Sequence, residues 1–228
     1  MIPWILLDTA AVPGGGALRL LRRGAEFSIR LGRDELMNSR MHGSEEALAT
    51  QACARIAGRA RPHILIGGLG MGFTLRAALG ALGAEARIVV AELVPAVVDW
   101  NRGPLAGLSD HALADARVAV HAGDVAGLIR AEPSAYDAIL LDVDNGPVAM
   151  ARAANDRLYD LAGLGAAHAA LRPGGVLAVW SARPDTDFAR RLRRIGFAVD
   201  EVRVRARGAS GGPRHVIWIA ARAGGPER

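Results

Sequence analysis

The sequence predicts an α/β fold: a doubly wound, mostly parallel sheet with an antiparallel hairpin at its C-terminal end and a small antiparallel β element in front. Three observations predict it. Residues 61–92 read as one strand, a glycine-rich turn, a helix and a second strand. Beyond them, short continuous apolar runs alternate with helix-length segments, the pattern of strands covered on both faces. The last two apolar runs, Phe197–Arg205 and His215–Ala220, are separated only by the turn Gly208–Pro213. That connection is too short for a parallel crossover, so one of the two runs antiparallel at the sheet edge.

The elements follow in order. Residues 1–42 alternate apolar runs with turns. Trp4–Thr9, Ala17–Leu21 and Glu26–Leu31 suit strands, with a Pro-Gly turn after Val12 and Arg-Gly at 23–24. This element is too short to hold a core of its own and needs the main domain or a second subunit. Ser44 opens a helix as its N-cap, followed by Glu45 and Glu46 in the first turn, where acids favour the helix dipole at the surface. Gly58 and Pro62 end it. Strands are expected at His63–Ile66, Arg87–Ala91, Arg117–His121, Tyr136–Leu141 and Val176–Trp180. Helices are expected at Met71–Leu82, Pro95–Asn101, from Gly123-Asp124 to Arg130, Asn155–Leu171 and Thr186–Ile195. The division is thus 1–42, a β element; 43–222, the main domain; and 223–228, a tail.

Composition bounds the function. Hydrophobic residues make up 51% of 228, enough for a substantial core. A net charge of +5 would suggest nucleic acid, but all 28 basic residues are arginine and they are scattered without an aromatic-rich basic stripe. Nucleic acid is therefore not the expected partner. Cys53 is the only cysteine, so no internal disulfide can form, which suits a reducing cytoplasm. No apolar run reaches about 18 residues, so no membrane span is expected. The six histidines and the cysteine show no metal-ligand spacing, so no metal is expected.

The glycine-rich turn carries the first chemical signal. Gly67, Gly68, Gly70 and Gly72 leave it without side chains, so backbone N–H groups can approach a ligand. Glu92 ends the second strand about 20 residues beyond, where a carboxylate can hold two ribose hydroxyls. Strand, turn, helix and acid together point to a nucleoside-containing cofactor. The alternative is a turn whose glycines serve packing alone.

The order of motifs resembles the class I S-adenosylmethionine-dependent transferases, and among them the spermidine synthase-like group. The resemblance rests on Gly67-Gly68-Leu69-Gly70, Glu92, Gly123-Asp124, the run Tyr136-Asp137 to Asp142, Leu158-Tyr159 and the stop Leu171-Arg-Pro-Gly-Gly-Val176. It implies a Rossmann-like, class I methyltransferase-like fold. It also implies roles. Gly67, Gly68 and Gly70 would line the amino-acid part of the donor, Glu92 would hold the ribose and Leu93 would lie against adenine. Asp124 would accept from the adenine amino group, and Asp142 would face the reacting centre. Three departures stand out. Gly70 takes the place of an aspartate found in aminopropyltransferases, and Ala49 that of a tyrosine. Asp142-Val-Asp-Asn replaces an Asp-Ser-Ser-Asp run. The expected reaction is therefore methyl transfer from S-adenosylmethionine to a small polar acceptor. The alternatives are aminopropyl transfer from decarboxylated S-adenosylmethionine to a polyamine-like amine, and a non-catalytic nucleoside- or RNA-binding role. Family analogy also makes a homodimer reasonable.

Group transfer from a sulfonium needs an oriented donor, a nucleophile in line and a place for a proton. Asp142 and Asp144 are the candidate bases, since two nearby acids push one pKa upward. Asp144 and Asn145 are also candidate acceptor contacts, with Tyr159, by resemblance, and Trp180 as a pocket wall. His63 reads as structural. Ser181 lacks the Gly-x-Ser-x-Gly elbow of a hydrolase. The run Arg190–Arg194 reads as a solvated helix face.

Overall fold

The computed structural model describes residues 2–13, 15–143 and 157–224. Four strands open the chain: β1 (Ile5–Ala11), β2 (Ala17–Arg23), β3 (Glu26–Leu31) and β4 (Asp34–Asn38), paired antiparallel in chain order. The sequence pattern suggests only three. Strand β4 reads Asp-Glu-Leu-Met-Asn, without apolar alternation. A two-residue link closes it onto β3, with Gly32 at φ +61° supplying the left-handed turn. Leu18, Leu20 and Ile29 project from this sheet into the same buried cluster as Leu48, Ile66 and Val97 of the main domain. Each such side chain contributes about 1.5–3 kcal/mol when buried. The small sheet thus shares the main domain's core.

The main sheet has seven strands: β5 (His63–Gly67), β6 (Arg87–Glu92), β7 (Val118–Ala122), β8 (Tyr136–Leu141), β9 (Leu171–Ser181), β10 (Ala198–Arg205) and β11 (Arg214–Ala221). Their order is β10-β11-β9-β8-β5-β6-β7. From β9 to β7 the strands are parallel, and β11 and β10 form the antiparallel edge. Among the described residues the main helices are α1 (Gly43–Arg55), α2 (Phe73–Ala81), α3 (Pro95–Arg102), α4 (Val125–Ala131), α5 (Leu161–Ala170) and α6 (Thr186–Ile195). Alternate strand residues feed two separate cores. Ile64, Ile66, Ala138 and Leu140 pack with α1, α2 and α3. Leu65, Ile139 and Leu141 pack with α4, α5 and α6. This is the doubly wound Rossmann-like arrangement, and continuous apolar runs are what it demands.

Three boundaries differ from expectation, each for a local reason. Helix α1 starts at Gly43, with His42 rather than Ser44 at its N-cap and no side-chain cap bond. Gly43 donates its N–H to Ala206 O at 2.8 Å, and a Cβ there would lie 2.4 Å from Gly208 N. The loop before β11 therefore sets where the helix begins. Strand β9 starts at Leu171, five residues earlier than its apolar run, because Arg172-Pro-Gly-Gly175 forms an irregularity within it. Helix α5 starts at Leu161, where Asp160 accepts from Gly163 N at 2.8 Å.

At the amino end of β8, Asp137 is 1% exposed. It accepts from His63 N at 2.8 Å and Arg172 Nη1 at 2.7 Å, and Arg59 Nη1 lies 3.2 Å away. Two guanidiniums thus offset the cost of burying it and tie β5, β8 and β9 together. No helix among the described residues is long and apolar enough to cross a membrane.

Candidate active site

Strand order reverses between β5 and β8, and a crevice opens beyond the carboxyl ends of such strands. Here it is a cleft of about 320 Å³, at the lower end of ordinary ligand sites. The turn after β5 and the ends of β6 and β8 form one side. Ile29, Leu36 and Met37 of the small sheet form the other. The N-terminal element is therefore a wall of the cleft.

The glycine-rich turn is shaped by close approaches. Gly68 has φ +90°, and a Cβ there would stand 2.4 Å from the carbonyl oxygen of Asp142. Only glycine lets the turn lie against the end of β8. Gly70, at φ +52°, faces Met37, whose Sδ and Cε would come within 2.9 and 2.6 Å of a Cβ. Gly68 and Gly70 line the cleft. Gly67 is the last residue of β5, packed against Val125 and Leu141.

Glu92 sits at the end of β6 and is 8% exposed. Its carboxylate accepts from Leu69 N at 3.0 Å and from Val94 N at 2.9 Å. It thus holds the glycine-rich turn and the entry to α3 while lining the cleft. Next to it Leu93 is 39% exposed, an unusual setting for leucine in a cleft wall. Asp124 accepts from Ala126 N at 2.9 Å as the N-cap of α4, and it also faces the cleft.

Acids gather at the other end. Asp142, directly after β8, is partly buried and accepts from Thr74 Oγ1 at 2.8 Å. Burial raises its pKa to about 6, against the Thr74 hydrogen bond. Glu45, on the first turn of α1, also lines the cleft and is 8% exposed. Burial raises its pKa to about 7, the charge of Asp142 adds to the rise, and the Ser44 hydroxyl at 2.6 Å opposes it. Glu45 is thus a cleft residue rather than a surface acid. Its signal in the sequence was weak: a first-turn acid looks the same whether it faces water or a crevice. Its neighbour Glu46 does face outward, pairing with Arg76 and with His42 Nδ1 at 3.0 Å.

Other expected residues divide. Trp180 lines the cleft, edge-on to His215 with ring centres 4.8 Å apart, and its indole N–H has no hydrogen-bond acceptor among the described residues. Tyr159 is buried in the core below the sheet, edge-on to Phe188, and is not among the residues that line the cleft. Asp144 and Asn145 lie outside the described residues. His215 and Thr74 carry no motif and emerge only from the fold, and Ser44, expected as a helix cap, instead bonds Glu45 and His215. Among the described residues no cluster of three or more His, Cys, Asp or Glu could hold a metal.

Comparison with known proteins follows the same line. No protein-family model matches the chain. Polyamine aminopropyltransferase 2 of Streptomyces coelicolor is 34% identical over 197 residues, 82% of this chain and 35% of the relative. Polyamine aminopropyltransferase 2 of Pseudomonas aeruginosa is 34% identical over 155 residues, 63% of this chain and 42% of the relative. The chain thus spans well under half the length of these relatives. Two solved structures share its fold. A spermidine synthase bound to the transition-state analogue AdoDATO superposes with a TM-score of 0.73 at 18% identity, over 97% of this chain and 73% of that one. The spermidine synthase of Thermotoga maritima does so with a TM-score of 0.74 at 18% identity, over 97% and 74%. These likenesses overturn the expectation of methyl transfer: the relatives are aminopropyltransferases. That expectation rested on the departures at Gly70, at Ala49 and after Asp142. By sequence the chain is similar to polyamine aminopropyltransferases, and its fold is that of the spermidine synthases.

Proposed function

We propose that the chain transfers an aminopropyl group from decarboxylated S-adenosylmethionine to a polyamine-class amine. One observation carries this reading: the charged side chains lining the cleft are the five carboxylates of Glu35, Glu45, Glu92, Asp124 and Asp142, and no arginine lines it among the described residues. In a chain of net charge +5 that is a strong local inversion. Such a cleft attracts a sulfonium and an ammonium, and it repels a phosphate backbone or the carboxylate of the undecarboxylated donor.

In this reading Glu92 binds the ribose, Leu93 covers adenine and Asp124 accepts from the adenine amino group. Gly68 and Gly70 let the donor's chain lie along the turn. Asp142 and Glu45 hold the cationic amines. Both have pKa values raised toward neutrality, so each can accept a proton from an ammonium that must become a neutral nucleophile. Met37 fills the space above Gly70, so Glu45 and Asp142 take over the charge an aspartate there would have supplied.

The test is turnover with decarboxylated S-adenosylmethionine and a panel of diamines, followed by the appearance of the thioether nucleoside and the lengthened amine. Both products are expected, each depending on donor and diamine. A protein that forms neither, or that methylates an acceptor from S-adenosylmethionine, contradicts the reading.

A further inference from the structure

One hydrogen-bonded chain reaches the cleft from outside the roles above. His215 Nδ1 lies 2.9 Å from Ser44 Oγ, and Ser44 Oγ lies 2.6 Å from Glu45 Oε2. Ser44 is fully buried and Glu45 nearly so, while His215 is half-buried with its ring against Trp180. Both ends of the chain line the cleft. The fold takes trouble to place them. His215 comes from β11, Ser44 and Glu45 from the start of α1, and the close contact of Gly43 with Gly208 brings the two together.

We propose that Ser44 and His215 are the proton exit of Glu45, which rests on the aminopropyl-transfer reading. A serine hydroxyl has one proton to give and can accept in return, so the chain has two directions. With Glu45 ionised, Ser44 donates to it and His215 Nδ1–H donates to Ser44. With Glu45 protonated, its O–H donates to Ser44 and Ser44 donates to a bare Nδ1. In the reaction, the acceptor's ammonium gives one proton to Glu45. The freed nitrogen lone pair attacks the propyl carbon attached to sulfur. The C–N bond forms, and the C–S pair leaves with sulfur as a neutral thioether. The new ammonium keeps its remaining protons, so one proton stays on Glu45. It passes through Ser44 to Nδ1 of His215, and the imidazolium releases Nε2–H at the cleft mouth.

The electrostatics suit this direction. Asp142 from the end of β8 and Glu46 on the same helix act on Glu45, both favouring its protonated form, so it takes the proton readily. His215 has its pKa lowered, with burial as the cause, so it does not trap what it receives. His215 and Ser44 are accordingly positioning residues that act through Glu45.

Two measurements test it. In His215→Gln, kcat at neutral pH should fall about tenfold, less than the roughly 10²–10⁴ of a direct acid or base because His215 acts through Glu45, while both KM values hold. The loss should shrink as the pH approaches about 10, where the amine arrives neutral. His215→Ala should recover turnover with added imidazole, which a packing role would not allow. Separately, ¹⁵N NMR of the His215 ring should show its tautomer change as Glu45 titrates, and no change in Glu45→Gln. Normal kcat in both His215 variants, or a tautomer indifferent to Glu45, overturns the proton exit. A coupled tautomer in a protein without turnover instead overturns the transfer reading and leaves the exit standing.

Discussion

Strand β8 carries an aspartate near its start and another just past its end, and the fold treats them in opposite ways. Asp137 is buried and met by two guanidiniums and a backbone N–H. Asp142 is met by one threonine hydroxyl and lies close to a second acid. The first carboxylate is compensated from within and fastens three strands. The second is left for a cation that the described residues do not supply. A fold can afford such an uncompensated pair only where water or a ligand reaches it, and the cleft provides that.

The sharpest way to break the comparison is to neutralise each aspartate in turn. Asp142→Asn should lower turnover by about 10²–10⁴ with stability at pH 8 unchanged or raised, measured by steady-state rates and urea unfolding. Asp137→Ala should do the reverse. It should cost about 3 kcal/mol of stability, with donor binding kept in the surviving folded fraction. If Asp142→Asn proves the more destabilising of the two, the contrast is wrong.

Glu92 falls between the two, because it both binds and builds. Glu92→Gln loses one acceptor for the N–H groups of Leu69 and Val94. We expect about 1–2 kcal/mol of lost stability together with weaker donor binding, seen by calorimetry. Full affinity in that variant would remove the ribose role.

The pH dependence sharpens the same point. Glu45 and Asp142 have folded-state pKa values near 7 and 6, above their values of 4.5 and 3.8 in the open chain. The folded state therefore binds more protons, and the stability these groups contribute is full below about pH 4 and lost as the pH rises through 7. Each proton changes stability by at most about 1.4 kcal/mol per pH unit. The ligand-free protein should lose thermal stability between pH 5 and 8 more steeply than Glu45→Gln does. Equal slopes would mean that Glu45 is ionised throughout.

The smallest effect concerns the turn. Gly70→Asp should cost about 1 kcal/mol, from the left-handed backbone and from Met37, and adding Met37→Ala should recover part of it. Unfolding curves that show no coupling between the two would separate Met37 from the turn.

Much of this fold was legible in the sequence because its parallel strands are continuous apolar runs between helices. The site was legible where a motif demands special backbone, as at Gly68, or ends a strand, as at Glu92 and Asp142. What stayed hidden depends on tertiary approach. Strand β4 has no apolar alternation. Ser44 caps nothing, since Gly43 is drawn against Gly208. Glu45 and His215 are 170 residues apart, and nothing local marks either as facing a cleft. The expectation of methyl transfer has the same origin: the departures at Gly70 and Ala49 lie within motifs, while Glu45, which faces the same cleft, is marked by none.

The most direct test is calorimetric titration of the protein with decarboxylated S-adenosylmethionine and with S-adenosylmethionine, at pH 6.5 in two buffers of different ionisation enthalpy. The account predicts that the decarboxylated donor binds at least about tenfold tighter, a difference of about 1.4 kcal/mol, and that its binding releases protons from the cleft. Equal or tighter binding of the carboxylated donor, without proton release, would contradict it.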